Sequence, residues 1–124
     1  MIMVLLVSLS IQAQEKPIGS QDSIVFESTT HDYGTIAQNG NGNCEFRFTN
    51  KGKVPLVLSN VQASCGCTVP EWPKEPILPG KTSSIKVKYN TANIGSFGKT
   101  ITVSSNAANS RVVLTIKGNV TPKQ

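Results

Sequence analysis

Hydrophobic and polar residues alternate with a period of two along most of the chain after residue 22. In residues 43–50, for example, Cys44, Phe46 and Phe48 fall on one side of an extended chain, and polar or charged residues fall on the other. This pattern is typical of a β-strand with one buried face. No window of helical length has the apolar spacing of an amphipathic helix. The sequence therefore predicts an all-β protein.

Turn signals divide this pattern into about seven short strands. The sequence NGNG at residues 39–42 predicts a hairpin, because Asn and Gly tolerate the positive φ of tight turns. The spacing of the strands fits an immunoglobulin-like, two-sheet antiparallel sandwich, and a small closed barrel is the alternative. We expect the core between the sheets to contain the residues in the apolar register of their strands: Phe46, Phe48, Val87, Leu114 and Ile116.

The length of 124 residues corresponds to one domain and excludes a two-domain enzyme with an interdomain cleft. Residues 1–13 form an uncharged apolar run that ends in small and polar residues, as in a secretory signal peptide. Roughly ten apolar residues are too few for a transmembrane helix, so we expect no transmembrane anchor. We predict a signal peptide at residues 1–13 and an immunoglobulin-like domain at residues 22–121. The protein would be exported to the periplasm, the cell envelope or the medium.

The formal net charge of +5 is unevenly distributed along the chain. The balance is −4 through Glu45 and +9 from Phe46 onward. A basic surface attracts anionic polysaccharide, lipid head groups or nucleic acid. The lysines, however, occur singly in strand-like stretches without interleaved aromatic residues, so we expect solvated strand faces and no nucleic-acid partner.

The three cysteines, Cys44, Cys65 and Cys67, allow at most one disulfide bond within the chain. Cys65 and Cys67 flank Gly66 and are close neighbours whatever the fold, so a small ring between them is favoured. A bridge from Cys44 to either one is the alternative. A strained, accessible CGC bridge would be easily reduced, so the loop is either a structural pin or a redox centre.

The same cysteines with His31 would make a Cys₃His set for zinc or copper. Cys44 shares the apolar face of its strand, however, and His31 lies in a turn-like context beside Asp32. We therefore expect no metal site.

The common enzyme motifs, such as the nucleophile elbow, the phosphate-binding loop and the zinc-protease motif, do not occur in the sequence. We therefore expect no enzymatic activity, no catalytic residues and no cofactor. The irregular segment 63–79 contains four of the seven prolines and the single tryptophan. We take Trp72, Gly66 and Thr68 of this segment as candidate residues for binding a partner.

Several segments also resemble those of a family of small exported bacterial proteins catalogued as a domain of unknown function. The segments are DYGTI at 32–36, FRFTNKG at 46–52, PLVL at 55–58, SCGCT at 64–68, PILPG at 76–80 and IKGNV at 116–120. Together the segments are similar to immunoglobulin-like domains related to the PapD chaperone and the major sperm protein. The resemblance implies a seven-stranded sandwich that binds other proteins.

The sequence thus predicts an exported immunoglobulin-like binding or scaffold module with a disulfide-pinned CGC loop. Its partner would be another exported or cell-envelope protein. The alternative is a thiol–disulfide redox or metal-handling protein that uses Cys65 and Cys67.

Overall fold

The computed structural model describes residues 23–123, which form eight β-strands and no helix. The strands are β1 (Ile24–Phe26), β2 (Thr30–Ala37), β3 (Asn43–Asn50), β4 (Leu58–Ala63), β5 (Thr68–Glu71), β6 (Thr82–Tyr89), β7 (Gly95–Ser105) and β8 (Arg111–Thr121). Within these residues, no segment could cross a membrane as a helix. The predicted signal peptide at residues 1–13 lies outside the described residues.

The strands form two four-stranded sheets with the orders β1-β3-β6-β5 and β2-β8-β7-β4. This arrangement confirms the predicted immunoglobulin-like sandwich. The structure has one strand more than the seven predicted, namely β5, which lies within the proline-rich segment 63–79. Pro70 is tolerated there because β5 is an edge strand.

Two expectations about strand pairing were wrong. The NGNG segment does not close a hairpin, because β2 and β3 belong to different sheets. Asn39 does adopt the left-handed conformation, with φ of 65°, but the turn carries the chain from one sheet to the other. The pairing is also not wholly antiparallel, since β2 runs parallel to β8. The chain switches sheets between β1 and β2, so β2 enters alongside β8 in the same direction.

The core lies between the sheets and is formed by the inward positions of both. All five predicted core residues are buried, with exposures of 2% or less. Alternation along β8 follows the prediction, since Leu114 and Ile116 are fully buried and Val113 is 48% exposed. Because the inward and outward positions of the strands are as predicted, the polar and basic residues lie on the outer faces and at the two ends of the sandwich.

The two ends of the sandwich differ in chemistry. One end, called here the CGC end, consists of residues 39–42, 65–67 and 90–94. The opposite end, called here the lysine end, consists of residues 51–55, 78–81 and 106–110. β3 runs from the first end to the second, and β6 returns antiparallel to it.

Candidate functional site

The CGC loop connects β4 in one sheet to β5 in the other. Cys65 and Cys67 are half-buried, and their sulfur atoms lie within disulfide range, with Cα atoms 5.3 Å apart. The backbone N–H of Cys67 donates to Sγ of Cys65 at 3.1 Å. The backbone N–H of Thr68 donates to the carbonyl of Cys65 at 3.2 Å. The loop is thus a tight turn in which a backbone donor faces one of the two sulfurs.

Hydrogen bonds hold both ends of the CGC loop. On the β4 side, Ser64 N–H donates to the carbonyl of Thr100 at 2.9 Å, and the Ser64 hydroxyl accepts from Thr100 N–H at 3.1 Å. On the β5 side, Asn90 N–H donates to the carbonyl of Cys67 at 2.8 Å. The loop therefore bridges the sheets in a defined position.

The NGNG segment is joined to the same end of the sandwich through Thr91, which is 6% exposed. The Thr91 hydroxyl donates to the carbonyl of Gly40 at 2.7 Å, and the Thr91 carbonyl accepts from Asn39 N–H at 3.0 Å. Gly42 packs so closely against the carbonyl of Tyr89 that any Cβ would collide with it. Sequence analysis missed Thr91, because its neighbours carry no pattern that distinguishes it from an ordinary turn residue.

An open depression lies between these loops at the CGC end. It is lined by the NGNG segment, Gly66, Cys67, Val69 and the chain from Lys88 to Thr91. Lys88 is the one charged residue of this lining. The surface is therefore made largely of backbone groups and small side chains, with one sulfur at its margin.

Cys44 lies apart from the CGC loop, on β3. Its neighbour on β6 is Val87, whose other neighbour is Pro70 of β5, so β6 separates Cys44 from the strand that follows the loop. Burial raises the pKa of the Cys44 thiol, and the nearby Tyr33 hydroxyl opposes this in part. Cys44 is a free, half-buried thiol that packs against the core, and the alternative bridges to Cys65 or Cys67 are not formed.

His31 lies on β2, where its ring meets Tyr33 edge to face with the centroids 4.5 Å apart. The Tyr33 hydroxyl donates to the carbonyl of Gly42 at 2.6 Å, and burial raises the pKa of this phenol well above its usual range. Residues 23–123 contain no cluster of three or more His, Cys, Asp or Glu that could hold a metal ion.

The three residues named as binding candidates occupy different environments. Gly66 is exposed in the CGC end, and no atom lies within 4 Å of the position a Cβ would take. Thr68 is 3% exposed, so little of its side chain is available to a partner. Trp72 is half-buried, away from the CGC depression, and the Lys74 ammonium lies 3.3 Å from its ring centroid. Of the three, Gly66 lies at the CGC depression and is exposed.

Several solved structures share this fold at low sequence identity. A protein of unknown function from Porphyromonas gingivalis W83 matches 83% of the chain at 17% identity and a TM-score of 0.69. A PapD-like domain of human CEP192 matches 97% of the chain at 8% identity and the same TM-score. The CsuC–CsuE chaperone–tip adhesion subunit complex of Acinetobacter baumannii matches 79% at 11% identity and a TM-score of 0.57.

The chain spans half of the P. gingivalis structure, 57% of the A. baumannii one and 99% of the human domain. At these identities the likeness concerns the fold alone. No curated protein sequence matches the chain. Residues 24–120 match a sequence family over nearly all of the described strands, and the chain therefore belongs to the family described as Protein of unknown function (DUF1573).

Proposed function

We propose that the protein is an exported binding or scaffold module without catalytic activity, and that it contacts a protein partner through the CGC end. The observation that carries this proposal is the direct joining of three loops. The loop that follows β6 is hydrogen-bonded to the CGC loop through Asn90 and Cys67. It is hydrogen-bonded to the NGNG segment through Thr91, which contacts Asn39 and Gly40, and through Tyr89, which contacts Gly42. A surface ordered before binding loses little conformational entropy when a partner arrives.

The composition of this surface supports a protein partner. Small side chains leave backbone N–H and C=O groups accessible, and loops at one end of a sandwich are a frequent location for protein contacts. The A. baumannii structure, in which a chaperone of this fold class is in complex with a tip adhesion subunit, is compatible with such a role. In this proposal a Cys65–Cys67 disulfide pins the loop, and the partner is another exported or cell-envelope protein.

Site-specific photo-crosslinking in the native host tests the proposal. Gly66 is replaced by p-benzoylphenylalanine, which its open surroundings and ordinary φ accommodate. Val25 on β1 is the control, because it is 47% exposed and pairs with Thr49, at the end of β3 that is remote from the CGC loop. We expect one discrete crosslinked protein from position 66 and none from position 25. No adduct from position 66, or the same adduct from both positions, would refute the proposal.

A second candidate function is thiol–disulfide exchange, and the hydrogen bond from Cys67 N–H to Cys65 Sγ favours it. In this reaction a thiolate of an exported dithiol protein attacks Cys67 Sγ and forms a mixed disulfide. The electron pair of the broken bond remains on Cys65, where the N–H stabilises the thiolate. The partner's second thiolate then displaces Cys67, so the partner leaves as a disulfide and the CGC loop as two thiols.

Trapping distinguishes this second function from simple binding. In the reverse direction the Cys67 thiolate attacks the disulfide of the oxidised partner, and Cys65 then releases the partner as a dithiol. A Cys65→Ser variant cannot take this second step, so a mixed disulfide with the partner should accumulate on non-reducing gels. The Cys67→Ser variant is the control and should trap far less. If neither variant gives a reducible adduct, or both give equal amounts, the exchange reaction is excluded and the CGC loop is a structural pin.

A further inference from the structure

The lysine end of the sandwich carries three lysines, and its three segments, 51–55, 78–81 and 106–110, contain no Asp or Glu. The segments 51–55 and 78–81 contain Lys51, Lys53 and Lys81, all exposed. The loop at 106–110 that completes this end has no charged residue. In sequence, the acid nearest to these segments is Glu75, three residues before Leu78.

The lysines on the sheet surface have a different environment. On the outer face of the β1-β3-β6-β5 sheet, Lys86 lies in register between Glu45 of β3 and Glu71 of β5. That face is therefore close to electrically balanced. By contrast, Lys51, Lys53 and Lys81 lie together in segments that contain no acid.

Two large apolar side chains project from the same end. Val54 is 59% exposed and Leu78 is 54% exposed, and both lie on turns rather than in a groove. Their segments are held next to each other, because Leu56 and Ile77 exchange two backbone hydrogen bonds of 2.8 Å. Protruding apolar side chains beside lysines suit a membrane with anionic head groups, because the side chains can enter between the lipids. A protein surface would need a separate pocket for each side chain.

One buried and one exposed asparagine side chain fix this arrangement. The Asn50 amide, 0% exposed, donates to the carbonyls of Val54 at 2.9 Å and Ile77 at 2.8 Å. Its Oδ1 accepts from Gly52 N–H at 2.9 Å. Asn106 donates to the carbonyl of Pro55 at 3.0 Å. The two apolar tips are thus held outward by the fold and are not available for burial in the core.

The start of the described chain lies at the same end. The carbonyl of Ser23 accepts from Lys51 N–H at 2.6 Å, and Asn109 Oδ1 accepts from Ser23 N–H at 3.2 Å. The chain that precedes the domain therefore enters it beside the lysines.

From these observations we infer that the lysine end binds the surface of an anionic phospholipid membrane. Val54 and Leu78 enter the boundary between head groups and acyl chains, and Lys51, Lys53 and Lys81 contact the lipid phosphates. With so few apolar residues, the association is reversible and depends on salt and on the fraction of anionic lipid. The CGC end then faces away from the membrane, where a protein partner can reach it.

Vesicle co-sedimentation of the mature chain tests this inference. The probes are vesicles of phosphatidylcholine with 30% phosphatidylglycerol, and vesicles of phosphatidylcholine alone. A Lys53→Gln/Lys81→Gln variant is compared with Lys86→Gln/Lys88→Gln, which removes the same charge from the sheet face. At roughly a factor of five for each lysine, we expect about 30-fold weaker binding for the first variant and a small change for the second.

A second pair of variants, one test and one control, examines the contribution of the apolar residues. Val54→Ser/Leu78→Ser should weaken binding, whereas Val69→Ser/Ile94→Ser, at positions 60% and 55% exposed elsewhere, should not. Failure of the unaltered chain to bind anionic vesicles, or equal losses in each matched pair, overturns the inference. A discrete protein crosslink formed from the lysine end, without vesicle binding, would overturn the inference and assign the surface to a protein partner. Crosslinking from Gly66 does not depend on any of these results.

Discussion

Asn50→Ala is the substitution that most directly tests how the lysine end is held together. Asn50 is fully buried at the end of β3, and its side chain makes three hydrogen bonds to main-chain groups: two in the turn that follows β3 and one to Ile77. Alanine removes all three. The buried N–H of Gly52 then loses its partner, whereas the carbonyl of Ile77 loses one of two donors and keeps the N–H of Leu56.

The expected cost follows from those two groups. A buried group that loses its partner costs about 1–3 kcal/mol and the loss of one ordinary hydrogen bond about 1 kcal/mol, so the two changes cost about 3 kcal/mol together. The third bond, to Val54, is partly exposed, and water can replace it. Domains of this size have a total stability of about 5–15 kcal/mol, so the variant should lose a large part of it.

Urea unfolding measures this loss. With a slope of about 1–3 kcal/mol per M, the midpoint should fall by roughly 1.5 M while the slope itself stays unchanged. Asn60→Ala is the control, because Asn60 is exposed on β4 and its amide donates to the Gln62 side chain at 3.4 Å. That variant should change stability by less than about 0.5 kcal/mol. A loss below about 1 kcal/mol for Asn50→Ala, or equal losses in both variants, would show that the asparagine does not hold these turns.

The remaining predictions concern the core, the CGC loop and the leader. Phe48→Ala should cost about 3–5 kcal/mol in urea unfolding, because the ring is 0% exposed. Arg47→Ala should cost little, and the reverse order would mean that the register of β3 is wrong. Peptide mapping without reductant should find Cys65 and Cys67 joined within one short fragment, and a bridge to any other cysteine would contradict this. Sequencing of the protein from its native host should find a new N-terminus near Ala13, and recovery of intact Met1 would contradict export.

Strand positions were predictable because alternation records local burial. The residues of β3 and β8 alternate between core and solvent in the sequence as they do in the structure. The pairing of strands was less predictable. NGNG has the chemistry of a hairpin turn, but whether its flanking strands pair is decided by contacts far along the chain, here those of β2 with β8. The sequence of the turn therefore predicted the left-handed conformation of Asn39, but not that the turn connects strands of two different sheets.

Of the two candidate sites, one was predictable from the sequence and the other was not. The closeness of Cys65 and Cys67 was predictable because two residues cannot move far apart across one glycine. The lysine end was not, since Lys53 and Lys81 are 28 positions apart in sequence and are brought to one end by the pairing of β3 with β6 and of Leu56 with Ile77. Asn50 resembled an ordinary turn residue, because nothing in its neighbours reveals that it would be buried.

Proline explains why asparagine side chains are used at the lysine end. Pro55 and Pro79 have no N–H, so the turns that contain them cannot form a regular ladder with a neighbouring strand. Their carbonyl groups still require donors, and the amides of Asn50 and Asn106 supply them to Val54, Pro55 and Ile77. Because these backbone carbonyls already have donors from asparagine side chains, the side chains of Val54 and Leu78 need not turn inward to shield them from water. The same arrangement that stabilises these turns therefore leaves their apolar side chains exposed beside the lysines, where a membrane surface can receive them.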